Sequence, residues 1–373
     1  MRRYFLFGAS LVLSFLSLTG CKENYRLFIS GFTSVGAKGI SVFDFNSRNG
    51  ELNLIQESNV GPDPSYFCYS EKKKLIYALN NVMEFKGNFG GGLTTLKYDT
   101  QTAVFEKLNE ILIPYGGPCY ISMSPDSTFL FVASYPNGSV AVIKLDGNGI
   151  PETITDTVVY YKTAPRPSHA HMILNDPSGK KVYVTDLGLD RIMVYDFDRN
   201  TGKLNRSSGD TVFLPVGSGP RHFIFNANGS KMYVINELGS KMMVLNVDEK
   251  EGPKLIQTLP TFRKGFEENN YCADVHMGKS GKFLYGSNRG ENTIVTYRVE
   301  PDGTLSLAGH TSCYGDWPRN FVIDPSGKFL LVGNQKSDSV SVFKLSKTTG
   351  LPVEPAKRYK VIAPACLKFI GMK

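Results

Sequence analysis

Cysteine is scarce and shows no pairing pattern: Cys21, Cys68, Cys119, Cys272, Cys313 and Cys366 stand alone, with no Cys-x-x-Cys among them. This argues against a thiolate zinc site and against a disulfide framework, leaving open one bridge in an oxidising compartment. Runs rich in Ala, Leu and Glu are missing as well. Instead 37 Gly, 19 Tyr and 24 Phe suit many short strands joined by turns, so the first expectation is an all-β fold. No Lys/Arg block and no nucleic-acid motif is present. The formal charge of +8 is dispersed, which implies small anionic ligands at most and no nucleic-acid partner. The five histidines have no helical i, i+4 spacing, and no nucleophile elbow occurs. Neither a metal, a cofactor nor Ser-His-Asp chemistry is therefore expected. With 41% apolar and 20% charged residues the chain can bury a large core.

Beyond residue 18 no apolar run is long enough to span a bilayer. The start is different: Arg2 and Arg3, an apolar stretch over 4–18, then Leu18-Thr19-Gly20-Cys21. This predicts a signal peptide over 1–20 ending in a lipobox, with Cys21 acylated as the new N-terminus; a cleaved signal without lipidation is the alternative. The remainder, 22–373, is expected as one domain of an exported lipoprotein in the cell envelope, on the periplasmic or outer-membrane side. It would be monomeric and touch the membrane only through its lipid anchor.

A period of about 50 residues signals a propeller or a solenoid. Ser124-Pro125-Asp126-Ser127, Asp176-Pro177-Ser178-Gly179, Asn226-Ala227-Asn228-Gly229, Gly278-Lys279-Ser280-Gly281 and Asp324-Pro325-Ser326-Gly327 are one recurring turn. Each lies between two apolar strands, and an alternating third strand, a polar turn and a weaker fourth strand follow. Four antiparallel strands joined by short turns make one propeller blade. The stretch 26–56 holds only the last three strands of a blade. Its missing inner strand is found at 363–370, which resembles Gly219-Pro220-Arg221-His222-Phe223-Ile224-Phe225. The sequence thus predicts a seven-bladed β-propeller whose ring is closed by the C-terminal strand.

Aligning the blades makes the sequence its own control. At the end of the second strand stand Asn80, Ser134, Asp186, Asn236, Asn288 and Asn334, a short polar residue each time, as a turn scaffold demands. The next column varies freely: Asn81, Tyr135, Leu187, Glu237, Arg289 and Gln335. So does the start of the innermost strand: Ser65, Cys119, His171, Arg221, Ala273, Arg319 and Ala365. Antiparallel pairing brings both variable columns to one mouth of the central channel. His171, Arg221, Glu237, Arg289 and Arg319 meet there as a candidate site for an anion and for proton transfer. The plainer alternative is a carboxylate that neutralises arginines at the end of a wet channel.

Other residues carry two readings. His169, two positions before His171, is expected on the same face, as a second site member or as support. His222 should point away from Arg221 into packing. His276 is expected to hydrogen-bond Asp274 in the core. Trp317 is either interblade packing or a substrate platform. The glycine-rich 87–92 lacks the companions of a phosphate loop and is a candidate lid at the same rim.

Together with these features, Pro167-Ser168-His169-Ala170-His171, Gly219-Pro220-Arg221-His222, Val234-Ile235-Asn236-Glu237-Leu238, Ala273-Asp274-Val275-His276, Ser287-Asn288-Arg289-Gly290 and Trp317-Pro318-Arg319-Asn320-Phe321 resemble the motif set of the seven-bladed propeller lactonases. That family includes bacterial 6-phosphogluconolactonases and, more distantly, the fungal muconate lactonizing enzyme. The resemblance implies an active site of His171, Arg221, Arg289 and Glu237. Asn81 stands where relatives often carry a glutamate, and it joins Arg289, Arg319 and His169 as a substrate-binding candidate. The expected activity is hydrolysis of a sugar lactone or related anionic cyclic ester. Arg221 would face the oxyanion, and Glu237 and His171 would share the proton transfers. A lactonizing cycloisomerase and a non-catalytic, glycan-binding propeller remain as alternatives. Export through Cys21 sits badly with 6-phosphogluconolactone, a cytosolic metabolite, as the substrate.

Overall fold

The computed structural model describes residues 24–160, 166–248 and 251–372. The signal segment and Cys21 lie outside the described residues. Seven four-stranded antiparallel sheets form a ring. Blades two to seven span 64–113, 118–159, 170–213, 220–260, 271–312 and 318–360, and each pairs its four long strands in chain order. Blade one is split: Asn24–Gly31, Ile40–Asn46 and Glu51–Ser58 receive Pro364–Met372 as their inner strand, with pairing running from Asn24 against Met372 to Gly31 against Pro364. The inner strand of each blade packs on the inner strands of both neighbours, so the ring closes on itself. Among the described residues the only helices are two 3₁₀ turns, Thr33–Val35 and Gln335–Ser337. The glycine-rich 87–92 stretch begins in a small hairpin, Glu84–Phe85 with Asn88–Phe89, inserted in blade two, and its Gly91 and Gly92 open the third long strand of that blade.

The second strand of a blade is apolar nearly throughout because both its faces are covered by neighbouring blades. Leu75–Asn80, Phe129–Ser134 and Phe329–Asn334 are buried at every position. Tyrosines in these strands tie blades together. Tyr77 donates its hydroxyl to Gly149 O at 2.6 Å, Tyr233 to Gly303 O at 2.9 Å and Tyr285 to Gly350 O at 2.8 Å, each reaching a turn of the next blade. Each ring adds buried area to a hydrogen bond worth about 1 kcal/mol net.

The recurring turn is held by its first side chain. Asp324 accepts from the backbone of Lys328 and Phe329, Asp176 from Lys181 and Asn226 from Lys231. Its fourth residue takes a left-handed φ, as at Gly179, Gly229, Gly281 and Gly327; in blade three Ser127 adopts the same conformation at φ 61°. The five described cysteines, Cys68, Cys119, Cys272, Cys313 and Cys366, are buried and free.

Candidate active site

The polar column that recurs at the end of the second strand is scaffold. Asn80 donates to Pro62 O at 3.0 Å, Asn288 to Thr261 O at 2.6 Å and Asn334 to Ser341 Oγ at 3.0 Å, while Asp186 accepts from the backbone of His169 and Leu189. The following residue is pinned to the approach of its own inner strand. Glu237 N donates to Gly219 O at 2.7 Å, and Asn81, Tyr135, Leu187 and Gln335 repeat this bond to residues 63, 117, 169 and 317. Both variable columns therefore lie side by side at one rim.

A β-bulge at the start of every inner strand aims the first column inward. Pairing passes from Pro118 to Tyr120, Ala170 to Met172, Pro220 to His222 and Pro318 to Asn320, so Cys119, His171, Arg221 and Arg319 fall out of the ladder. Ala365 is skipped in blade one, while blades two and six leave out 65–66 and 273–274 against one partner residue. An extra residue twists the strand locally and redirects its side chains.

These side chains meet in a recess of about 220 Å³ lined by Asn81, Cys119, Tyr135, His171, Arg221, Glu237, Arg289 and Arg319, with Gly117 and Pro136 at its edge. Glu237 Oε2 sits 3.0 Å from Arg221 Nε and 2.6 Å from Arg289 Nη2, with 18% of its side chain exposed. Burial by itself would raise the Glu237 carboxyl, but Arg289 and Arg221 outweigh it and hold it below the ordinary carboxylate value. Arg289 is steadied further by donating to Tyr271 O and Cys272 O, and it lies over the Trp317 ring at 5.2 Å. Arg319 has no carboxylate partner among the described residues. It makes one long bond to Gln335 Oε1 at 3.4 Å and lies over the Phe32 ring. Burial, then the charges of Arg221 and Arg289, push it down to about 9. Three guanidinium groups against one carboxylate leave the recess strongly cationic.

His171 is buried, and its Nδ1 has no hydrogen-bond partner. Burial and then Arg221 hold it well below the usual histidine value, so it is neutral near pH 7. His169 is not among the lining residues. It precedes the bulge and stacks on Tyr135 at 4.4 Å with Nδ1 3.1 Å from Tyr135 O, supporting the wall from behind. His222 is buried outside the recess lining, packed against Tyr66 and Tyr120 as expected. Its ring lies 5.1 Å from that of His171, and its Nδ1 is 2.7 Å from Asp274 Oδ1. His276 does bond Asp274, at 2.9 Å. Trp317 stands between blades six and seven, near Tyr271, with Lys336 Nζ 3.4 Å from the ring centroid. Among the described residues no group of three or more His, Cys, Asp or Glu side chains is arranged to hold a metal ion.

Similar proteins share this architecture. The family description "Lactonase, 7-bladed beta-propeller" matches residues 26–369. A 6-phosphogluconolactonase of Formosa agariphila is 31% identical over 346 residues, covering 87% of this chain and 93% of the relative. That of Bacillus subtilis is 26% identical over 352 residues, covering 93% and 98%. The solved structure of a periplasmic gluconolactonase from Pseudomonas aeruginosa superposes with a TM-score of 0.85 at 29% identity, over 93% of this chain and 99% of its own. The match spans the whole ring, and the chain belongs to the seven-bladed β-propeller lactonase family.

Proposed function

We propose that this protein hydrolyses the lactone of a sugar acid carrying an anionic group, outside the cytoplasm. The observation that carries this reading is the cationic recess, in which Arg319 lacks a counter-ion while Glu237 occupies Arg221 and Arg289. A half-buried guanidinium without a carboxylate partner is costly, and a carboxylate or phosphate relieves that cost with matched hydrogen bonds. The periplasmic location of the Pseudomonas relative supports a lactone met beyond the inner membrane, which fits the lipobox at Cys21.

In the reaction, water adds to the lactone carbonyl carbon and the bond from that carbon to the ring oxygen breaks, giving the open hydroxy acid. The carbonyl oxygen gains negative charge beside Arg221, a contact stronger in the transition state than in the ground state. Glu237 takes the proton from water. Its basicity is suppressed in the free protein by its two arginines, and an arriving anion shares those charges and restores it. The neutral imidazole of His171 orients the water. Proton return to the leaving ring oxygen completes the balance.

The deciding experiment is a pH-stat screen of the purified chain on phosphorylated and unphosphorylated aldonolactones. Turnover that is retained in wild type and lost in Glu237→Gln supports hydrolysis. A wild-type protein that opens none of them, or one that closes an unsaturated diacid to a lactone by NMR, overturns the reading.

A further inference from the structure

Directly below the recess lies a second layer of polar side chains that the reaction above does not use. The residue after the bulge reads Tyr66, Tyr120, Met172, His222, Asp274, Asn320 and Cys366 round the ring, so no repeated demand of the scaffold fixes it. Its three adjacent polar members form one connected chain under Arg221. His222 bonds Asp274 Oδ1, Asn320 donates to Asp274 Oδ2, and Asn320 Oδ1 accepts from Leu367 N at 2.7 Å. His276 Nε2 and the backbone N–H of Val275 complete the Asp274 carboxylate. Above this chain, Arg221 Nη1 points to His222 Nε2 at 3.4 Å and donates to Ala273 O, the bulge residue beside Asp274.

We propose that the Asp274–His222 pair is a positioning device for Arg221, fixing its guanidinium from below, through Nη1, for the substrate oxygen in the recess. The inference rests on the role given to Arg221 above. A guanidinium has only donors, so Nη1 requires a lone pair on His222 Nε2. The ring then carries its single proton on Nδ1, which is the nitrogen facing the Asp274 carboxylate. Asp274 therefore selects the tautomer in which His222 can accept from Arg221, and its own bonds to His276, Asn320 and Val275 hold the carboxylate still. Nε of Arg221 lies 3.0 Å from Glu237 Oε2 but makes no hydrogen bond among the described residues, while Nη1 is held from below by this pair and by Ala273 O. His222 and Asp274 act through Arg221 and are positioning residues.

Two experiments test this. Long-range nitrogen–proton NMR correlations on the purified chain should report His222 as the neutral Nδ1–H tautomer between pH 6 and 8. An Nε2–H tautomer or an imidazolium would overturn the proposal, and this readout needs no substrate. The second is a double-mutant cycle in lactone hydrolysis. His222→Phe, which fills the volume without an acceptor, should lower kcat about 10- to 100-fold with KM nearly unchanged, the size of effect that a small misplacement produces. His222→Gln, whose amide oxygen can accept from Nη1, should recover most of it. In an Arg221→Ala background His222→Phe should cost nothing more, because the group it positions is gone. Losses that multiply in the double variant, or equal losses in Phe and Gln, would instead assign His222 a purely structural role. Should His222→Phe not fold, Asp274→Asn carries the same cycle. If wild type turns over no lactone, the site reading fails while the tautomer still decides the geometry.

Discussion

Arg289 Nη2 lies 2.6 Å from Glu237 Oε2, an ion pair that joins two blades at the mouth of the channel. The pair is nearly dry, so each partner depends on the other for its charge. Arg289 alone would be a second uncompensated cation beside Arg319, and Glu237 alone would be driven towards its acid form.

Replacing Glu237 by Gln keeps an oxygen for the arginines and removes the base. Lactone turnover should fall about 100- to 1000-fold, while the fold persists by circular dichroism. Steady-state kinetics in a pH-stat measure it, and a loss confined to KM would count against the assigned role.

Arg319→Met removes the half-buried guanidinium without a carboxylate partner. The substrate-free protein should become more stable by about 1 kcal/mol in urea unfolding, since an unpaired, half-buried cation is exchanged for an apolar side chain. KM for a phosphorylated lactone should rise about tenfold or more, and for an uncharged lactone much less. A destabilised variant with unchanged KM would show that Arg319 is structural.

Acid should weaken the fold early. Burial and then Arg221 lower His222 to about 4 and His171 well below its usual value. In the unfolded chain both titrate near about 6.5, so below that pH the unfolded state takes up protons that the folded state refuses. Stability is full above about 6.5 and declines as pH falls towards 4, His222 contributing roughly 3 kcal/mol of the loss. Urea melts at several pH values should show this slope, and His222→Gln should flatten it; an unchanged slope would mean that His222 is protonated in the fold.

Ser127 occupies, at φ 61°, a turn position that four other blades give to glycine. Ser127→Gly should therefore stabilise the protein by about 0.5–1 kcal/mol, relief of the left-handed strain outweighing the entropy of glycine. Thermal unfolding checks the direction, and activity should not change.

Much of this was legible before any coordinates, because a propeller repeats itself. The turn around Asp324-Pro325 marks five of the blades, and the unmatched strand near Ala365 reveals the closure. Comparing blades also separated scaffold Asn236 from variable Glu237, and all five charged or imidazole candidates line one recess. Alternation along a strand was the argument that broke. It placed His169 beside His171 in the site, but a bulge inserts one residue at this point and shifts the faces. No feature of composition marks that bulge, which only the backbone pairing shows; in blades five and seven a left-handed residue precedes it, Gly219 at φ 59° and Trp317 at φ 65°. The pairing of Glu237 with Arg221 and Arg289, leaving Arg319 alone, likewise depends on distances that no alignment of blades contains.

Arg221→Ala offers the most direct measurement, because the account makes this side chain the partner of the developing oxyanion. Initial rates on the best lactone of the screen, with urea unfolding of the same sample, should show kcat reduced about 100- to 1000-fold in a protein that still folds cooperatively. Full turnover in Arg221→Ala would contradict the account, since the ring would then bring these charges together without using them for chemistry.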